Sequence, residues 1–117
     1  MKNVFILGAA CVAGFAVSAS AAPSAAKGKE TFLRVGCYQC HGTEGQGSGA
    51  GLKLAPDPLP AEAIANFIRG KPGTMPPYPE AVLSDAEIAD IAAYLASIRP
   101  SPTVDRIPVL RDLKLPN

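Results

Sequence analysis

Apolar residues fall into four ordered stretches, separated by chain rich in glycine and proline. The first, Val4 to Val17, is an unbroken run of apolar and small residues. The second, 27–35, is helical in pattern: Phe32 with Val35, or Gly28 with Phe32, would share one face. A glycine within a helix is costly, so Gly28 is expected at a close backbone approach. The third follows Pro60, which suits a first helical turn, and places Ile64, Phe67 and Ile68 at i, i+3, i+4. Gly70 is placed to stop it. The fourth is the most regular. Ile88, Ile91, Leu95 and Ile98 recur at 3-4-3 spacing with Tyr94 beside them. Ser84 and Glu87 form a capping box ahead of them, and Arg99-Pro100 ends the helix. Between these stretches, 42–51 holds five glycines, and 55–60 and 71–79 are stiffened by prolines. No strand alternation occurs anywhere. The pattern predicts a loop-rich, all-α fold.

The first stretch changes the domain count. Met1-Lys2-Asn3 is a short basic start, the apolar run follows, and Ser18-Ala19-Ser20-Ala21 supplies a small-residue cleavage site. These are the three parts of a secretory signal, with the cut expected after Ala21. An uncleaved anchor is the competing reading. The run is short and rich in Ala and Gly, against about 20 strongly apolar residues for a span. A lipid attachment at Cys11 fits worse, because too little apolar chain precedes it. The expected organisation is a signal peptide at 1–21, one domain at 22–99, and a proline-rich tail at 100–117. The 48% hydrophobic content is inflated by the leader.

The whole chain carries 11 Lys and Arg against 10 Asp and Glu, a net charge of +1. Losing Lys2 with the leader makes the mature chain neutral, with no basic field to suggest nucleic acid. A small domain of this size has a marginal core. Of three cysteines, Cys11 leaves with the leader, so the mature chain has no pair for a disulfide apart from the two in the motif.

Those two carry the chemistry. Cys37, Cys40 and His41 stand as Cys-x-x-Cys-His, the attachment signature of a c-type haem. Two thiols add across haem vinyl groups as thioethers, and the adjacent imidazole reaches the iron. A thioredoxin-like dithiol would sit in a βαβ pattern, which is missing. A structural zinc needs four ligands, and three within five consecutive residues cannot close the tetrahedron. His41 is the sole histidine, and Met75 the sole methionine besides Met1. Two strong side-chain ligands on one iron must therefore be His41 and Met75, a pair that raises the potential and suits electron transfer. A lone methionine is often core filler. Met75 instead lies in a loop followed by Pro76 and Pro77, which fix φ and stiffen the loop before a weak thioether ligand binds. Arg69 and Lys71, just before that loop, are candidates to pair with a haem propionate.

With these residues named, the chain resembles the class I monohaem cytochromes c over about residues 27–98. Cys37, Cys40 and His41 match the haem motif. Gly28-Lys29-x-x-Phe32 resembles the family's N-terminal helix, Met75-Pro76-Pro77-Tyr78 its distal ligand loop, and Ile91-Ala92-Ala93-Tyr94-Leu95 its C-terminal helix contact. The resemblance implies three to four helices around one covalent haem c. It also implies that a carbonyl in the loop after the haem motif accepts the second N–H of the proximal histidine. Many relatives have a proline there. Here Gly51-Leu52 stands in its place, and Leu52 could serve.

The expected function is a periplasmic one-electron carrier with no catalytic residues. Its expected partners are redox proteins: a dehydrogenase, a cytochrome complex or a terminal oxidase. It would meet a membrane only through partners, as a monomer or as a subunit. One alternative is a cytochrome subunit bound tightly to a periplasmic dehydrogenase. Ile107, Val109, Leu110, Leu113 and Leu115 in the tail would then wrap this domain or dock on a partner. The other is a haem gas-binding or sensor protein, which requires a labile sixth position. The segments framing the haem edge offer Tyr38, Gln39, Pro76, Pro77 and Tyr78, none of them charged, so a mostly apolar contact patch is expected.

Overall fold

The computed structural model describes residues 21–70, 73 and 75–111. Residues 1–20, with Met1 and Cys11 and most of the expected leader, then Lys71, and the tail residues Leu113 and Leu115 lie outside the described residues. Among the described residues five α-helices occur in order: α1 Ala25–Arg34, α2 Tyr38–His41, α3 Ala61–Gly70, α4 Asp85–Ser97 and α5 Pro108–Arg111. A single 3-10 turn, Val104–Arg106, precedes α5, and no strand occurs among the described residues. None of these helices is long and apolar enough to cross a membrane. The all-α, loop-rich expectation holds. Three helices of ten residues or more form the body, and α2 and α5 are single turns.

α1 begins two residues before the expected start because Ser24 caps it. Its side chain accepts from Lys27 N at 3.4 Å. The Ser24 N–H also donates to Asp90 Oδ1 at 2.6 Å, tying the start of α1 to the middle of α4. The capping box on α4 is formed as expected: Glu87 N donates to Ser84 Oγ, and Ser84 N donates to Glu87 Oε2.

α1 and α4 are the closest-packed pair, and α3 packs on α4 beside them. Gly28 and Phe32 of α1 meet the α4 stripe of Ile88, Ile91, Tyr94 and Leu95. The rings of Phe32 and Tyr94 lie 5.7 Å apart at 60°. Such tilted pairs are favoured by the ring quadrupoles. Phe32, Ile88, Leu95 and Leu83 are essentially fully buried. Each contributes about 1.5–3 kcal/mol relative to exposure. The exposed Arg34–Glu87 ion pair at 2.5 Å adds at most about 1 kcal/mol.

Two packing details depart from the expected pattern. On α3, Ile68 is buried and Ile64 half-buried, but Phe67 is 54% exposed. Ile64 and Ile68 face α4 one turn apart, and Phe67 lies about 100° around the helix from Ile68. Leu83 and Ala55 join the core from loops. Leu83 sits just before the cap residue Ser84, and Ile88 is the fourth residue of α4. These are the two positions of a hydrophobic staple. In the tail, the 3-10 turn and α5 pack on each other, while Val104 and Val109 remain exposed. Among the described residues, nothing beyond Ile98 joins the core.

Candidate haem site

The end of α1 delivers the cysteines. Gly36, at φ +83°, reverses the chain. Gly36 N donates to Leu33 O at 3.3 Å, and Cys37 N donates to Phe32 O at 3.2 Å. This is a Schellman closure, and its left-handed residue is where glycine is free of Cβ strain. Cys37 then opens α2, and His41 N donates to Cys37 O at 3.0 Å. Within one helical turn, residues at i, i+3 and i+4 share a face. Cys37, Cys40 and His41 have that spacing, so the turn puts both thiols and the imidazole on one side.

The glycine-rich loop is a built support for this turn. Gly47 N donates to His41 O at 2.8 Å, Ser48 Oγ donates to Cys40 O at 2.5 Å, and Leu54 N donates to Gly45 O at 2.7 Å. His41 Nδ1 lies 2.7 Å from Leu52 O. A carbonyl can only accept, so Nδ1 is the donor, and in the neutral ring this leaves the lone pair on Nε2. That arrangement orients the ring and raises its basicity as a metal ligand. Leu52, the candidate acceptor, supplies the carbonyl. Gly51 makes room for it. A Cβ there would stand 2.7 Å from Cys40 O and 3.0 Å from His41 Nδ1.

Both thiols are free, Cys37 half-buried and Cys40 exposed. Burial pushes the Cys37 thiol up to about 11, so it is protonated at neutral pH in an apolar setting suited to a thioether. Two free thiols beside an imidazole held in one tautomer fit a c-type haem.

The structure also brings the Met75 loop to this segment. Met75 and Cys37 are both half-buried against the same core. Tyr78 OH donates to Val35 O at 2.9 Å. Its phenol is raised above its ordinary value by burial, then by Cys37 and by Cys40. Tyr78 is thus a half-buried tie between the Met75 loop and the end of α1. Tyr38, Gln39, Pro76 and Pro77 are exposed.

Arg69, a candidate propionate partner, also makes contacts within the chain. Its guanidinium donates to Tyr78 O at 2.9 Å, to Leu83 O at 3.1 Å and to Asp85 Oδ1 at 2.5 Å. Spacing gave no hint of this, because the acceptors lie nine to sixteen residues away. Sequence reading also missed the polar end of Tyr94, whose OH donates to Thr43 O at 2.8 Å and ties α4 to the loop after His41.

Comparison with known proteins agrees with this geometry. The family model for cytochrome c oxidase, cbb3-type, subunit III matches residues 23–95. Two curated proteins, both the Cbb3-type cytochrome c oxidase subunit CcoP of Helicobacter pylori and one of them from strain 52, are similar over 82 residues. They are 34% and 33% identical to this chain there, over 63% of the chain and 28% of each relative. The chain therefore spans well under half the length of these relatives. No solved structure matches the chain significantly.

Proposed function

We propose a function from the premise that this chain belongs to the family of cytochrome c oxidase, cbb3-type, subunit III. It is a cytochrome c domain, and its cofactor is covalently bound haem c. The haem supplies a ferrous–ferric couple that takes up and releases one electron at a time. In the proposed arrangement Cys37 and Cys40 hold the haem as thioethers, and His41 and Met75 are the axial ligands. Leu52 O holds the His41 ring in the tautomer that leaves Nε2 for the iron. Pro76 and Pro77 stiffen the loop that presents Met75. The observation that carries this reading is the 2.7 Å contact of His41 Nδ1 with Leu52 O, beside two free thiols on one helical turn.

With its only histidine committed to iron, the chain has no residue set for acyl transfer or peroxide chemistry, and its role is non-catalytic. The leader pattern supports export to the periplasm after cleavage following Ala21. The similarity to an oxidase subunit supports a terminal oxidase complex as the electron acceptor. The test is to mix the purified ferrous protein with membranes of its source organism. Oxidation sensitive to an oxidase inhibitor, one electron per haem, is expected. Insensitive oxidation would reject the oxidase as acceptor.

A second reading, a subunit held tightly in a dehydrogenase complex, is favoured by the exposed Val104 and Val109 of the tail. Native gel filtration decides it. Elution with a flavin- or quinone-linked partner supports the second reading, and elution at the size of this domain rejects it.

A further inference from the structure

We infer that Arg69 and Tyr78 form a clasp that positions the Met75 loop, a role that rests on reading Met75 as the sixth ligand. Among the described residues between α3 and α4, Val82 N and Leu83 N close a turn by both donating to Pro79 O. The Arg69 fork, one residue before the end of α3, reaches two points along this connection, Tyr78 O and Leu83 O, and the Asp85 carboxylate at the start of α4. The Arg69 side chain is 24% exposed and that of Asp85 72%. The two partly buried carbonyl contacts therefore do more than the exposed ion pair. A lysine cannot reproduce this spread, because its ammonium is a point donor and not a planar fork.

Tyr78 is fixed from three sides. Its N–H donates to Ile68 O at 2.9 Å, its carbonyl accepts from Arg69, and its phenol donates to Val35 O. Val35 precedes Cys37 by two residues, so the phenol joins the exit of the Met75 loop to the segment bearing the thiols. Met75 is three residues upstream, within roughly 10 Å of chain. The intervening residues are Pro76 and Pro77, whose φ angles are locked. A stiff two-proline arm on an anchored tyrosine fixes where the thioether can go. Arg69 and Tyr78 are thus positioning residues, acting on the iron through Met75.

The test uses the intact haem protein. In Arg69→Lys, exchange of the Tyr78 amide is expected to accelerate by about 10- to 100-fold, the worth of hydrogen bonds to a charged group, while the Ile91 amide of α4 is unchanged. Carbon monoxide binding to the ferrous protein should speed up with it. Should Arg69→Lys fold poorly, Tyr78→Phe removes only the phenol bond, with a several-fold effect at the same amide expected. Gly28→Ala, which loosens the α1–α4 pairing instead, should accelerate both amides together. Equal acceleration at Tyr78 and Ile91 in Arg69→Lys, or none at Tyr78, would overturn the clasp. Wild-type carbon monoxide binding in Met75→Ala would overturn the ligand reading, and with it this role.

Discussion

Gly28→Ala tests the packing that supports the haem segment. An ideal Cβ on Gly28 would overlap the Asp90 carbonyl group and lie 2.9 Å from Ile91 N. All three atoms are α4 backbone, so no side chain can swing aside. Ordinary contact is about 3.5 Å, which requires the two helices to separate by roughly 1–1.5 Å. Separation loosens the contacts of Phe32 with Tyr94 and Leu95, and strains the bond from Ser24 N to Asp90. Overpacking of this kind costs about 1–3 kcal/mol, and rigid backbone puts this site at the upper end. Alanine returns about 0.5–1 kcal/mol through its better helix propensity. The net expectation is a loss of about 2 kcal/mol. With a guanidinium slope of roughly 2–4 kcal/mol/M, the unfolding midpoint should fall by about 0.5–1 M. The assay is guanidinium denaturation followed by far-ultraviolet circular dichroism. An exposed helical glycine would give the opposite sign, a rise in midpoint. An unchanged or higher midpoint would therefore refute the close approach.

Ser84→Ala should cost about 1 kcal/mol by removing the α4 cap, measured by the same denaturation. Hydrogen bonds from Ser84 N and Oγ, with a smaller contribution from Arg34, hold the Glu87 carboxyl below its ordinary value of 4.5. The folded state thus prefers the ionised form. This contribution is complete above the unfolded value and is lost as pH falls through the folded one. Ser84→Ala should weaken that acid dependence without abolishing it, because the Ser84 N–H still donates, and a denaturation series from pH 6 to pH 3 reads the difference. Tyr94→Phe keeps the ring against Phe32 but loses the bond to Thr43 O, for about 0.5–1.5 kcal/mol in thermal unfolding. Electron transfer with the native partner should depend only modestly on ionic strength, because Tyr38, Gln39, Pro76 and Pro77 at the expected contact patch carry no charge. A second-order rate falling steeply with salt would contradict this.

What the sequence made legible was local. The α4 cap and the stripe of Ile88, Ile91 and Leu95 lie within one window of periodic chain, and each stands where expected. Gly28 was legible because a glycine inside an amphipathic helix costs stability unless a close backbone approach requires it. Leu83 could have been found, since its spacing to Ile88 is that of a staple. Ala55 could not, because an alanine among prolines carries no period. The contacts of Arg69 within the chain were not legible, because its acceptors are carbonyls placed only by the tertiary fold. The Leu52 carbonyl was legible only as a candidate. A backbone oxygen has no residue identity, so the 2.7 Å distance had to come from the structure.

The central claim is that His41 and Met75 hold the iron of a covalently attached haem, and one spectrum tests it most directly. The oxidised protein should show the far-red charge-transfer band of methionine-ligated ferric haem. Met75→Ala should retain its haem through Cys37 and Cys40 but lose that band. A band missing from the wild type, or one surviving in Met75→Ala, would contradict the account.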